Sequence, residues 1–302
     1  MIDFGKVTVY SSFISAIVAI FMYYFFSKEA IIPVLIISAI ISLIINIIFS
    51  SKIIIDTDSV SISLKEVFFD GLGMVKLGAF TVFTSFISLA TLYYVRVSIR
   101  DTMGIDYVGY YAAAITLTIT YMGLIFSSMA ADYFPKLSAI NKDNQALNKA
   151  ILDQTKIILL LGTPLILLMF TFSDYIIPIL YSKEFILSRV LLLWMLLAVF
   201  FQLVSFPIGY VFLAKSKGKI FIFTQSQWNI IFIIGAFLSL KFDYGLEGIG
   251  IAFSTAYLLG LVVNILIIKR VTSLKYDSTT KQYILFLGLS VIAYLYYSLN
   301  YS

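Results

Sequence analysis

Nine predominantly apolar runs divide the chain: Thr8–Phe26, Ile31–Phe49, Leu77–Val95, Tyr107–Ser127, Ile157–Leu180, Leu187–Leu213, Ile220–Leu240, Leu246–Ile268 and Tyr283–Leu299. Each is close to or above the ~20 residues a helix needs to cross a bilayer core. Lipid offers the backbone no hydrogen-bond partner, so such runs must be helices or strands of a closed barrel. Barrel strands alternate apolar and polar positions over about 10 residues. These runs are apolar on all sides and far longer, so they predict an all-α, polytopic helical membrane protein.

Composition agrees. Of the 302 residues, 61% are hydrophobic and 12% charged, about half the charge of an average soluble domain. Cysteine and histidine are both absent. That excludes thiolate and imidazole metal sites, cysteine nucleophiles and the usual proton-transfer residue at neutral pH. No metal, cofactor or nucleic-acid partner is expected.

The positions of the charges carry more than their sum. Fifteen of the 21 Lys and Arg residues fall in alternate connections on one side, among them Lys52, Lys65, Lys136, Lys142, Lys215, Lys217, Lys219, Lys269 and Arg270. The other side holds six: Lys28, Arg96, Arg100, Lys183, Arg189 and Lys241. The positive-inside rule makes the richer side cytoplasmic, with Met1 inside and Ser302 outside. The longer links are also on that side. Ser51–Lys76 interleaves Val60, Ile62, Leu64, Val67 and Phe68 with polar residues, which reads as a linker ending in an interfacial amphipathic helix. Asn141-Lys142-Asp143-Asn144 offers N-cap candidates for a helix that extends the fifth span.

Few charges mark the apolar runs. Arg96 sits inside Leu92-Tyr-Tyr-Val-Arg-Val-Ser-Ile, where it either lines an aqueous cavity and meets an anion or snorkels to the interface. Arg100 follows one turn on, as a second such group or a partner of Asp101. Asp132 either binds a coupling cation or pairs with Lys136 across one turn. Asp174 interrupts the fifth run close to Pro178. Gln202, Gln225, Gln227, Asn229, Asn46 and Asn264 are uncharged polar groups in spans; they can recognise sugar or bond between helices. Pro164, Pro178 and Pro207 predict kinks. Asn46 and Asn264 also sit at equivalent places in two apolar hairpins, a weak internal repeat of the kind transporters are built from.

Five phrases, in order, resemble bacterial O-antigen flippases of the Wzx type, in the multidrug/oligosaccharidyl-lipid/polysaccharide exporter superfamily. They are Val95-Arg96 with Gly109-Tyr110-Tyr111-Ala112-Ala113; Asp132-Tyr133-Phe134-Pro135-Lys136-Leu137-Ser138; Leu180-Tyr181-Ser182-Lys183-Glu184-Phe185; Pro207-Ile208-Gly209-Tyr210 with Phe212-Leu213-Ala214-Lys215; and Gly245-Leu246-Glu247-Gly248-Ile249-Gly250-Ile251-Ala252. The resemblance implies a MATE-like fold of two six-helix bundles. Residues 1–50 would be the last two helices of the first bundle, 51–76 a cytoplasmic linker, 77–270 the complete second bundle and 271–302 an additional transmembrane helix. The first four helices of such a transporter are missing, so the chain is expected to be a truncated form. The implied activity is flipping a polyprenyl-diphosphate-linked oligosaccharide from the cytoplasmic to the periplasmic leaflet of the bacterial inner membrane. The implied partners are that lipid-linked substrate, membrane lipids, and the polymerase and chain-length machinery. Arg96, Arg100, Gln202 and Asn229 are the candidate substrate contacts; Asp132, Asp174, Pro164 and Pro207 are the candidate coupling or gating residues.

Three alternatives compete. A cation-coupled drug antiporter of the same superfamily would want an acidic cavity. A membrane polymerase or glycosyltransferase would want a large external loop with acid–base residues, and the external links are short. An inactive truncated fragment is the third.

Overall fold

A computed structural model describes residues 2–50 and 64–300. Among these there is no strand, and the apolar runs all lie in helices. Helices α1 (Ile2–Phe26) and α2 (Ile31–Ser50) are joined by a 3-10 turn, Ser27–Ala30. The Tyr10 and Phe49 rings stack with centroids 6.2 Å apart, so these two helices fold back as an antiparallel hairpin. They belong to one compact unit, Met1–Val67. Residues 51–63, with the expected linker and its Val60 and Ile62, lie outside the described residues.

The second unit, Phe68–Ser302, holds the rest. Helix α3 (Leu64–Met103) runs unbroken for 40 residues, so residues 64–76 and the run beginning at Leu77 form one helix. Then follow α4 (Ile105–Ile115), α5 (Tyr121–Ala139), α6 (Asn144–Leu180), α7 (Ser188–Ala214), α8 (Gly218–Lys241), α9 (Gly245–Thr272) and α10 (Ser278–Asn300). A π-helical turn, Thr116–Thr120, joins α4 to α5, so the fourth apolar run forms one rod with a wide turn in it. The Thr116 and Thr118 hydroxyls donate back to the carbonyls of Ala112 and Ala114, the kind of bond that bends helices. Asp143 is the N-cap of α6; its carboxylate accepts from the Gln145 and Ala146 amides at 2.8 and 3.1 Å.

Helix α7 is the centre of this unit. It is apolar on all sides, the pattern of a fully enclosed helix, and 20 of its 27 residues are buried. The outer helices turn large apolar side chains such as Val82, Phe86, Leu168 and Phe286 outward. Patches of that extent on a water-soluble surface would aggregate; around a belt of membrane helices they face lipid. This is a multi-pass membrane protein.

Where lipid is as apolar as leucine, helices associate through close packing of small residues. A Cβ on Gly250 of α9 would lie 2.7 Å from the Trp194 Cβ of α7, and one on Gly235 of α8 would lie 2.7 Å from the Ala252 Cβ of α9. The Ser254 hydroxyl adds a bond to the Trp194 carbonyl. Trp194 cannot yield, because the atom met is next to its backbone. Gly250→Val is expected to destabilise by about 1–3 kcal/mol, read as a lower apparent Tm in detergent. Gly123→Ala, with open space around its Cβ, should leave Tm unchanged or slightly raised.

Asp277 ties α10 to α6. It accepts from the Thr280 amide at 3.0 Å, capping α10, and pairs with Lys156 at 3.0 Å. Hydrogen bonds from Thr280 and then Lys156 hold its carboxyl down at about 2. A depressed carboxylate contributes stability that is complete above its unfolded value of about 4 and is lost as pH falls through the folded value. The Tm deficit of Asp277→Asn should therefore be present at neutral pH and shrink between about pH 4 and about pH 2.

Candidate functional site

Thr81, Thr84, Ser85, Ser88, Leu89 and Leu92 of α3 recur at the three- and four-residue spacing of one helix face. They cover about 16 Å of its length at 1.5 Å per residue. Their polar members line a cavity in the apolar bundle. One lobe, about 180 Å³, is lined by Thr81 with Gln202, Ser205, Phe206, Gly209 and Tyr210 of α7, Thr224, Gln225 and Trp228 of α8, and Tyr257 and Asn264 of α9. The adjoining lobe, about 400 Å³, takes Thr84, Ser85, Ser88, Leu89, Leu92 and Ile119, and shares Gln202, Gln225, Trp228 and Tyr257 with the first. No charged residue lines either lobe.

The amides near this cavity divide into two pairs. Gln227 donates to the Gly260 carbonyl at 3.2 Å and to Asn264 Oδ1 at 3.1 Å, and Asn264 Nδ2 donates to Ser205 Oγ at 2.6 Å. This chain clamps α8, α9 and α7 together, the ordinary use of buried amides in a membrane. Gln202 and Gln225 have no such partner among the described residues, although both face the cavity. Each therefore keeps two N–H donors and a carbonyl acceptor for whatever enters. Gln225 Nε2 comes close to α7 at Gly209, where a Cβ would fall 2.5 Å from it.

Aromatic rings complete the walls. Trp228 stacks on Tyr257, centroids 4.9 Å apart and planes 25° apart, backed by Phe253. Phe206 and Tyr210 adjoin at 4.9 Å. Tyr133 lies behind them and donates to the Pro207 carbonyl at 3.2 Å. The Asp132-Tyr-Phe-Pro and Pro207-Ile-Gly-Tyr phrases of the sequence thus pack on one another.

Of the residues singled out from sequence, Gln202 lines the cavity and Pro207 lies buried in α7 about one turn away. Arg96 follows Leu92 by four residues, on the continuation of the α3 stripe, with an exposed side chain outside both lobes. Arg100 pairs with Asp101 at 2.8 Å in an exposed position. Asn229 is buried outside the cavity lining; its Nδ2 donates to the Ser226 carbonyl at 3.0 Å and its Oδ1 is unpartnered. Asp132 pairs with Lys136 on the surface. Pro164 lies within α6.

Asp174 pairs with Arg189, Nε to Oδ1 2.8 Å. Arg189, 8% exposed, also donates to Ser173 Oγ and to the Ser298 carbonyl, both at 3.1 Å, so it joins α6, α7 and α10. In sequence it counts only among the six basic residues of the lysine-poor side, although it stands inside the sixth apolar run. Its place in that run is the signal for it. Trp228, Tyr257 and the α3 stripe are likewise absent from the sequence candidates; the stripe is legible as Thr81, Thr84, Ser85 and Ser88 at helical spacing.

Residues 3–189 match the family model described as polysaccharide biosynthesis protein, which covers more than half of the chain. The chain belongs to that family. None of the curated proteins matches it. Among solved structures, an outward-facing multidrug resistance MATE family transporter of the MOP superfamily superposes with TM-score 0.64 at 16% identity, over 80% of this chain and 55% of that one. Lipid II flippase MurJ, in its inward closed conformation, superposes with TM-score 0.56 at 19% identity, over 95% of this chain and 60% of that one. At these identities the likeness carries the fold, that of MOP-type helical transporters. This family member spans less than two thirds of the length of either structure.

Removing one partner of an ion pair strands the other charge, at a cost of about 3–5 kcal/mol where that charge is buried and less where it is half-exposed, as Asp174 is. Arg189→Ala should accordingly lower the apparent Tm more than Lys183→Ala, an exposed neighbour. Adding Asp174→Ala should recover part of the loss; the double-mutant cycle measures it.

Proposed function

We propose that the chain carries a lipid-linked oligosaccharide across the bacterial inner membrane, the cargo being a polyprenyl-diphosphate-linked repeat unit of O-antigen or another surface polysaccharide. The supporting observation is the pair of free amides, Gln202 and Gln225, beside the Trp228–Tyr257 stack in an uncharged intramembrane cavity. A primary amide offers donors and an acceptor at a spacing suited to neighbouring sugar hydroxyls. Aromatic faces suit the apolar faces of sugar rings, and a few placed polar groups among aromatics is the usual make-up of a specific pocket. A cationic drug would leave water with no carboxylate to compensate it, which disfavours the antiporter reading.

Membership in a polysaccharide biosynthesis family and the fold shared with a lipid II flippase support the same cargo class. On this reading residues 1–50 end a first bundle, 51–76 link, 77–270 form the second bundle and 271–302 add a helix, with the lysine-rich ends cytoplasmic. Arg96, one turn beyond the α3 stripe, is assigned to the diphosphate, with Arg100 outside it; Asn229 is left with no contact to the cavity. The ion pairs of Asp132 and Asp174 are gating contacts near opposite ends, and Pro164 and Pro207 are bending points in α6 and α7. The flipped unit would pass to the polymerase and chain-length machinery. No chemistry on the cargo is assigned.

Deletion of the gene in its host, with complementation by variants, tests this. Loss of surface polysaccharide with accumulation of lipid-linked units on the cytoplasmic leaflet is expected. Gln202→Ala with Gln225→Ala should cut rescue roughly tenfold at unchanged membrane abundance, from about 0.5–1.5 kcal/mol per lost hydrogen bond. Comparing this chain with its upstream-extended reading frame separates a self-sufficient carrier from part of one. Unchanged surface polymer together with raised sensitivity to cationic drugs would sink the proposal.

A further inference from the structure

At the lysine-rich end, the first turn of α8 lies beside the last turn of α9 across a second recess of about 370 Å³, lined by Lys219, Ile220, Phe223, Ile267, Arg270 and Val271. It shares no residue with the cavity between α3, α7, α8 and α9. Two cations stand at its rim, four apolar side chains form the rest, and no carboxylate lines it. Three other basic residues at this end are engaged, Lys136 with Asp132, Lys156 with Asp277, and Lys215 with the Asn141 carbonyl at 2.8 Å, whereas Lys217 and Lys269, next to the recess in sequence, add positive charge unpaired among the described residues. Lys219 and Arg270 are both exposed and make no side-chain hydrogen bond or ion pair among the described residues.

The depth order is that of an amphiphile. Phe223 lies four residues into α8 from Lys219, and Ile267 lies three residues into α9 from Arg270. At 1.5 Å per residue Phe223 and Ile267 stand about 5–6 Å below the cations, while Ile220 and Val271 are level with them. A charged headgroup at the rim would therefore place its acyl chains against Phe223 and Ile267. Basic recesses between transmembrane helices at the cationic side suit anionic headgroups, and arginine adds paired donors to phosphate oxygens.

We infer that the α8–α9 seam is a binding site for an anionic phospholipid, with Lys219 and Arg270 on its phosphate and Phe223 and Ile267 on its chains. The occupant is a bilayer lipid and not the carried substrate, so the site stands apart from the transport reading. Each basic residue near such a headgroup contributes about 1 kcal/mol, so Lys219→Ala with Arg270→Ala should weaken binding roughly 30-fold.

The test uses the purified full chain, monodisperse in detergent, titrated with phosphatidylglycerol or phosphatidylcholine and followed by native mass spectrometry and thermal shift. Tighter retention of phosphatidylglycerol and a larger rise in Tm are expected. The double variant should lose that preference. Arg270→Lys in a Lys219 background should keep most of it, and Lys241→Ala, at the opposite end of α8, should keep all of it. Equal binding of the two lipids, or an undiminished preference in the double variant, overturns the inference. So does a polyprenyl diphosphate that outcompetes phosphatidylglycerol here, which would make the seam part of the cargo's path.

Discussion

Inside a bilayer a polar group finds its partner within the protein or bears the cost of having none, several kcal/mol for a bare amide in an apolar medium. That constraint accounts for the helices, for hydroxyls that bond back to their own backbone as Thr84 and Ser88 do, and for the Gln227–Asn264–Ser205 clamp. It also makes the exceptions informative. Among the described residues Gln202 and Gln225 are two places where whole amide groups are left unbonded, and they share one cavity with the Trp228–Tyr257 stack.

The same constraint explains why the cavity sits against α7. This central helix holds its position through close approach to α9 at Gly250, with α9 packed in turn on α8 at Gly235, and through the Arg189 links at one end. Polar groups mounted on such a helix and its neighbours are presented at fixed spacing. Gln202 makes no side-chain hydrogen bond among the described residues, which leaves its amide to the cavity.

Much of the fold was legible in the chain because helix length and lipid thickness are matched by physics. The nine apolar runs lie in helices, and Asp143 caps α6 as the Asn141–Asn144 phrase allowed. The site was less legible. Five amides of α7, α8 and α9 look alike in sequence; which of them are consumed depends on the register between these helices, and that register is tertiary. Arg189 was hidden for another reason. Its position at the start of a run reads as a loop charge, whereas the structure turns it inward onto Ser173, Asp174 and the Ser298 carbonyl. The α3 stripe, by contrast, was open to a reading of periodicity among small hydroxyls.

The wide turn at Thr116–Thr120 sets a phase. A π turn carries about one residue more than an α turn, so everything after it is rotated by roughly 100° relative to an unbroken helix. Upstream, Tyr111 and Ala114 are buried in the core; downstream, Tyr133 reaches the Pro207 carbonyl. In an unbroken α-helix Tyr111 and Tyr133 would lie about 40° apart around the axis, and the wide turn shifts that phase. The extra residue works as a gear tooth: it sets which residues of the downstream half, the Asp132-Tyr-Phe-Pro phrase among them, mesh with the stretch of α7 that carries the cavity.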